Sequence, residues 1–298
     1  MRCFLCLDVG GTQIKSALLA QDGSLCGAVR HNAALADQDR ETILSNFVQI
    51  VVEGFSAAQR QGLTPSALRL AFPGPFDYAG GVCLIEGLGK YAALYGTNMR
   101  KELSARLQPY GGALASAAGD IRFINDASAF ALGEMNFGCA QNAARALFVC
   151  IGTGCGSAFG AAGTLAEETM PGVPAGGVIY PTPFYQSCVD DYISRRGLER
   201  LSQKHLGKPL DGKALADLAH QGDARARAVF AEFGDLLVEA LLPFLQNFAP
   251  ETLCLGGQIM ASEALFLPAL RRVCQTLGIP VYLTENTSLR AMQGLLLL

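Results

Sequence analysis

RCFLCLDVGGTQIKSALLAQDGS, residues 2–24, is the stretch whose reading decides the fold. Residues 2–7 are an apolar, β-rich run, Asp8-Val-Gly-Gly-Thr12 turns the chain, and a second β-rich run follows over 13–20. Gln21-Asp-Gly-Ser24 then makes a tight turn in which glycine tolerates positive φ, so the segment predicts a hairpin. Dinucleotide fingerprints and P-loops need a helix directly after their glycines. Neither G-x-G-x-x-G nor G-x-x-x-x-G-K-[ST] is present here, and both readings fall.

The second half repeats the opening. Ala146–Ile151 is β-rich, Gly152-Thr-Gly-Cys-Gly156 turns, Ser157–Gly160 returns, and Ala161-Ala-Gly163 turns again. An internal repeat of this size predicts two related lobes around a cleft. Helical periodicity covers 40–61 and 94–114, centred on 99–107, in the first half, and 188–205, 212–219, 224–248 and 262–277 in the second, the last with Ser262 as its expected N-cap. Residues 68–72 form a short strand closed by Pro73-Gly-Pro-Phe-Asp77, which either walls a ligand site or is an ordinary turn. Thr252-Leu-Cys-Leu-Gly-Gly257 runs a strand into a glycine pair, either a further backbone approach to a ligand or a plain strand end.

Between the repeats lies Arg122-Phe-Ile-Asn-Asp-Ala-Ser-Ala-Phe-Ala-Leu-Gly-Glu134. An apolar run reaches Asn125-Asp126, and small residues then open a helix. That presents one acid at a strand end, the placement a general base needs to reach a hydroxyl, although a helix-capping acid would look the same. Glycine-rich turns at Asp8–Thr12 and Gly152–Gly156 offer backbone N–H groups to phosphates. An acid with two phosphate cradles reads as phosphoryl transfer.

Composition narrows the classes. The 298 residues are 50% hydrophobic, enough for a large core, and the formal net charge of −3 gives no electrostatic footprint for nucleic acid. Apolar stretches such as 236–248 are interrupted by Glu239, Pro243 and Gln246, so no membrane partner is expected. The N-terminus lacks a secretory pattern, and the expected location is the cytoplasm. The ten cysteines include one CxxC, Cys3-Phe-Leu-Cys6, inside a strand where residues three apart face opposite ways; buried structural thiols are expected.

Asp8-Val-Gly-Gly-Thr-Gln-Ile-Lys15, Pro73-Gly-Pro75, Asn125-Asp126, Gly152-Thr-Gly154 and Leu255-Gly-Gly257, in this order, resemble the ROK family of sugar kinases and sugar-sensing repressors, which is related to hexokinases. The resemblance covers nearly the whole chain. It implies an α/β, two-lobed actin-like ATPase (ribonuclease H-like) fold with a ligand cleft between the lobes: an N-terminal lobe of 1–118 completed by 287–298, and a C-terminal lobe of 119–286. It also implies ATP and Mg²⁺, transfer of a phosphoryl group to a hexose hydroxyl, and homodimer assembly. Asp126 would be the base and Asn125 a ligand of a neighbouring hydroxyl. Asp8 would orient Mg²⁺ through water, where the bare sequence allows a turn-forming acid. Gly10, Gly11, Thr12, Lys15, Gly152, Thr153 and Gly154 would serve the phosphates, and Gly256 and Gly257 the adenosine. Gly74, Pro75, Gly87, Gly177, Tyr180 and Asp190 would fall on the sugar side.

Several positions depart from the family pattern. Gly177 stands where a sugar-binding Glu is usual, Tyr180 where a His is usual, Asp190 replaces a Glu, and Gly87 in Glu86-Gly-Leu88 replaces an Asn. The phosphate end is intact while the sugar end is altered, which leaves a non-catalytic sugar or nucleotide sensor as the alternative to a kinase. The family His also ligates zinc with three cysteines, whereas residues 181–188 retain only Cys188. One thiol cannot make a tetrahedral site. Elemental analysis of the purified protein should find no stoichiometric zinc, and chelators should leave its melting temperature unchanged. About one zinc per chain would refute this.

Overall fold

The computed structural model describes residues 2–87 and 89–298. The chain divides into two compact units, Met1–Gly133 with Ser288–Leu298, and Glu134–Thr287. In the first, β1 (Arg2–Val9), β2 (Gln13–Leu19), β3 (Arg30–Ala33) and β4 (Thr64–Phe72) are followed by the small hairpin β5 (Phe76–Asp77) and β6 (Val82–Cys83), then by β7 (Ile121–Asn125). The sheet order is β3-β2-β1-β4-β7. The predicted hairpin is present, with β1 antiparallel to β2 and Asp8 opposite Lys15. β4 runs parallel to both β1 and β7, so Asp8 pairs with Ala71, and Ala71 with Ile124. Three parallel strands therefore end in one row, carrying the Gly-Gly turn, the Pro-Gly-Pro turn and Asn125-Asp126.

The second unit repeats this arrangement. Its strands are β8 (Arg145–Ile151), β9 (Cys155–Ala161), β10 (Thr164–Leu165), the hairpin β11 (Pro183–Phe184) and β12 (Ser187–Cys188), β13 (Thr252–Gly256) and β14 (Val281–Leu283). The sheet order β10-β9-β8-β13-β14 matches the first strand for strand. β8 and β13 are parallel with Gly256 opposite Cys150, which puts the Gly152 turn and the Gly256-Gly257 pair at the same sheet end.

The helices are α1 (Arg40–Arg60), α2 (Met99–Leu107), α3 (Gly112–Ala117), α4 (Asp126–Phe137), α5 (Val189–Tyr192), α6 (Arg195–Leu206), α7 (Gly212–His220), α8 (Ala224–Asn247), α9 (Glu263–Leu277) and α10 (Thr287–Gly294). α1 buries Ile43, Phe47, Val51 and Phe55 in the first core, following the i, i+4 spacing of the sequence, and its N-cap Asp39 accepts from the Thr42 N–H. Among the described residues no helix is long and apolar enough to cross a membrane.

Two expectations are corrected. Ser262 ends a short 3-10 turn at φ −110°, ψ 20°, and its side chain makes no cap bond to α9. The division of the chain falls after Gly133 rather than after 118, because β7 is hydrogen-bonded to β4 and belongs to the first sheet.

Glycines explain how α4 is seated. A Cβ on Gly133 would stand 1.8 Å from the Arg290 carbonyl oxygen, and one on Gly294 would stand 1.9 Å from that of Ala129. α4 and α10 thus cross in backbone contact, which admits no side chain at either crossing point. Gly133→Ala should lower unfolding stability by about 3 kcal/mol, the upper part of the usual range for overpacking. Chemical denaturation measures it, and an unchanged midpoint would show that the helices separate freely.

Candidate active site

In the first unit, Asp8 closes β1 and the next residues fold back. The Gly10 N–H donates to the Gln13 carbonyl at 3.0 Å, and a Cβ on Gly10 would approach that oxygen to 2.9 Å. Gly11 and Thr12 are exposed at the crest of the turn. The turn is held from below by Tyr91, fully buried, whose hydroxyl donates to the Gly10 carbonyl at 2.9 Å. Tyr91 packs on Phe47 and Phe72, with ring centroids 6.3 and 5.3 Å away. Lys15, across the hairpin, is engaged: its Nζ donates to Ser288 Oγ at 2.6 Å.

Burial pushes the Asp8 carboxyl above the usual range, and the nearby Asp126 charge pushes the same way; the Ser288 hydroxyl and the Lys15 ammonium oppose them. Two carboxylates placed so that the charge of Asp126 acts on Asp8 suit a divalent cation. Mg²⁺ is ordinarily held by one or two carboxylates, with water and phosphate completing its shell. Among the described residues no group of three or more His, Cys, Asp or Glu side chains is arranged to hold a metal.

At the end of β7 the two polar residues divide their work. Asn125 Oδ1 accepts from the Ala127 and Ser128 N–H groups at 3.0 and 3.2 Å, which caps α4. Asn125 Nδ2 donates to the Tyr78 hydroxyl at 3.2 Å, and that hydroxyl donates to the Phe72 carbonyl at 3.0 Å. Asp126, half-buried, accepts from the Ala127 N–H through Oδ1 at 2.9 Å. Gly74 lies against the same group, since a Cβ there would stand 3.3 Å from Tyr78 Oη and 4.0 Å from Asn125 Nδ2. The turn is therefore joined to the Asn-Asp pair, with Pro75 following Gly74 through a cis peptide bond. Gly87 is exposed at φ +69°, and Leu88 beside it lies outside the described residues.

In the second unit the Gly152 N–H donates to the Gly154 carbonyl at 2.9 Å and leaves Thr153 at the tip. Asp190, expected among the sugar ligands, braces this turn. Its Oδ1 accepts from the Cys155 N–H at 2.6 Å, its Oδ2 pairs with Arg196, and a Cβ on Gly154 would strike it at 2.8 Å. Gly257 adopts φ +96° with its Cα hydrogen toward Ile151, whose carbonyl oxygen a Cβ would meet at 2.3 Å, so only glycine fits after Gly256. Its N–H donates to Thr287 Oγ1 at 3.1 Å.

Gly177 sits at φ +64° with nothing within 4 Å of where a Cβ would be, and Tyr180 is exposed. The Asp190 N–H donates to the Tyr180 carbonyl at 3.1 Å, tying these two altered positions together. The shortened segment after Tyr180 is organised by aromatic contacts. Phe184, Tyr185 and Tyr192 pack with centroids 4.8 to 5.4 Å apart, and Arg200 lies 3.6 Å over the Tyr192 ring. Cys188 makes a long contact to Asp191 Oδ2 at 3.8 Å. Sequence reasoning missed Tyr78, Tyr91, Ser288 and Arg196. Each acts through a partner distant in the chain or in a neighbouring helix, and none lies in a motif.

Comparison with known proteins agrees with this architecture. The ROK family profile matches residues 4–281. An N-acetyl-D-glucosamine kinase of Photobacterium profundum is 24% identical over 91% of this chain and 88% of its own, and a β-glucoside kinase of Klebsiella pneumoniae is 27% identical over 93% and 88%. A ROK family glucokinase of Streptomyces griseus, solved with glucose and AMPPNP, superposes with a TM-score of 0.73 at 19% identity, covering 98% of this chain and 97% of its own. The fold is the α/β, actin-like ATPase fold of those kinases. With its profile matched along nearly the whole length and its five motifs on the expected strand ends, the chain belongs to the ROK family.

Proposed function

We propose that the protein is an ATP-dependent sugar kinase that phosphorylates a hydroxyl of a hexose or hexose derivative, with Asp126 as the general base. The observation that carries this is the division of labour at the end of β7: Asn125 caps the helix, so the neighbouring half-buried acid is not needed as a cap. Asp126 takes the proton of the acceptor hydroxyl, the resulting oxygen attacks the terminal phosphorus, and the bond to the ADP leaving group breaks. Phosphoryl transfer demands positioning and charge neutralisation more than covalent help. Asn125 and the Pro73-Gly-Pro75 turn, joined through Tyr78, would present the sugar. Gly10, Gly11 and Thr12 would cradle phosphate, with Gly152–Gly154 and Gly256-Gly257 serving the nucleotide. Asp8 with Asp126 would hold Mg²⁺, which supplies neutralisation of phosphate charge. Lys15 is reassigned from direct phosphate contact to holding Ser288 beside Asp8.

The acceptor is read as a substituted sugar. The open space at Gly177 gives room where a family member would place a Glu, and relatives acting on N-acetylglucosamine and β-glucosides both handle substituted sugars. That Glu is not simply restored: at φ +64° a side chain costs about 1–2 kcal/mol. A coupled ADP-release assay over hexoses, amino sugars and β-glucosides tests the assignment. A substituted sugar should show the highest kcat/KM, and glucose leading by about 10-fold or more would count against it.

Asp126→Asn should keep the fold and sugar binding while kcat falls at least ~10²-fold, the scale of losing a general base. Turnover near the parental rate would remove Asp126 from the mechanism as its general base, whereas absence of turnover in the parental protein itself would favour the sensor reading.

Asp8 yields a prediction in the opposite sense for stability. Its carboxyl is raised in the folded state, so folding binds a proton there and stability falls as pH rises through the folded value. Asp8→Asn should raise the melting temperature at pH 7 in metal-free buffer, and the gain should shrink as pH drops towards the ordinary carboxyl range. A pH-independent difference would refute this. The same variant should lose turnover.

A further inference from the structure

Lys90 belongs to none of the motifs, yet it lies on the first glycine turn. A Cβ on Gly11 would stand 3.1 Å from Lys90 Cδ and 3.6 Å from its Cβ, so the aliphatic stem passes directly over the turn. The backbone beside it is fixed. The Tyr91 N–H donates to the Ala36 carbonyl at 2.6 Å while the Tyr91 hydroxyl holds Gly10, and the Ala34 N–H donates to the Thr12 carbonyl at 3.0 Å. The Gly10 flank is thereby tied to the residue that follows Lys90, and the Thr12 flank to the 34–36 segment that the Tyr91 N–H also holds.

The charges around it are unbalanced. The Asp126 charge acts on Asp8 in this unit, and the Asp8 charge reaches Tyr91. The cations nearby in sequence or sheet are occupied: Lys15 donates to Ser288, Arg30 pairs with Glu53, and Arg69 with Asp120. Among the described residues Lys90 has no such partner. A polyanionic nucleotide approaching Gly10–Thr12 meets backbone dipoles and two carboxylates; the Lys15 ammonium is engaged with Ser288 beside Asp8, and the Lys90 stem carries a second ammonium against the crest of the turn.

We propose that Lys90 is a phosphate-binding residue of the transfer reaction, its ammonium meeting the terminal phosphoryl oxygens of the nucleotide at the Gly10-Gly11-Thr12 turn. The assignment rests on the reading of that turn as a phosphate cradle. An ammonium there neutralises charge carried by the terminal phosphoryl group as it moves to the acceptor, the kind of preorganised stabilisation that dominates such reactions. It also accounts for Gly11, whose bare Cα leaves the path the stem takes.

The test combines calorimetry without turnover and steady-state kinetics on Lys90→Met and Lys90→Arg. Lys90→Met should weaken ATP binding by about tenfold while ADP and sugar binding stay within about twofold, because only the terminal phosphoryl loses a charge-assisted bond. Its kcat should fall about 10²-fold, and Lys90→Arg should recover most of both losses. ATP affinity and kcat at parental levels in Lys90→Met would overturn the proposal. So would a defect confined to the KM of the sugar, which would put the anion on the acceptor. Gly10→Ala separates this from the underlying reading: its Cβ crowds the Gln13 carbonyl and distorts the turn. Lost ATP binding in Gly10→Ala with an unaffected Lys90→Met defeats Lys90 alone, whereas parental ATP affinity in Gly10→Ala defeats the cradle on which both depend.

Discussion

Parallel pairing of β4 with both β1 and β7 sets Asp8, Ala71 and Ile124 side by side, and the first unit's chemistry depends on that register. Side chains alternate along a strand, so a slip of one residue would turn Asp8 to the other face and separate it from Asp126. The register is enforced from beneath by rings. Phe72 packs on Phe76 and Tyr91 with centroids 4.8 and 5.3 Å apart, and Phe76 packs on Phe123 at 5.1 Å. One aromatic layer therefore touches β4, β5, β7 and the segment holding Gly10. From above, the Gly133 and Gly294 crossing seats α4 against α10, which also delivers Ser288 to Lys15.

The second unit uses the same strand order with different fastenings. Its glycine turn is braced by a carboxylate, since Asp190 takes the Cys155 N–H and is itself paired with Arg196. The β11–β12 hairpin before this position is organised by three rings with an overlying guanidinium. Aromatic pairs contribute about 0.5–1.5 kcal/mol each beyond the area they bury, and an exposed cation–π contact about 0.5–1 kcal/mol. That is ample for a two-stranded hairpin such as β11–β12, but it is far less directional than a tetrahedral ion. Tyr180 is attached at this hairpin's base through the Asp190 N–H, and the Val189 N–H donates to the Thr182 carbonyl beside it.

Local chemistry was legible in the sequence and long-range chemistry was not. The hairpins, the glycine turns and the duplicated sheet could be read because each is specified within about twenty residues by period-two patterning and turn glycines. β3 and β14 escaped notice because they are short and half-exposed, with no apolar run to betray them. Ser262 stands at the N-cap position as its type suggests, yet the turn before α9 holds it at φ −110°, ψ 20° rather than in the extended conformation of a capping residue, and its side chain makes no cap bond. Tyr78, Tyr91 and Ser288 reach the site through single hydrogen bonds spanning 47, 81 and 273 residues, and no spacing rule encodes such partners.

What separates Asn125 from Asp126 is a matter of electrostatic economy at a helix start. A carboxylate that capped α4 would be stabilised by the two N–H groups and the positive end of the helix, which lowers its basicity. An amide caps the same donors without charge, and its remaining Nδ2 is free to reach Tyr78 and so fix the Pro-Gly-Pro turn. The acid one residue later then meets the Ala127 N–H alone among the described residues. Exchanging the two residues would preserve composition, but it would spend the carboxylate on capping and leave an amide at the position proposed for the base. In the proposed mechanism the order Asn-Asp, rather than the mere presence of an acid at a strand end, is the feature that leaves a carboxylate available for proton abstraction.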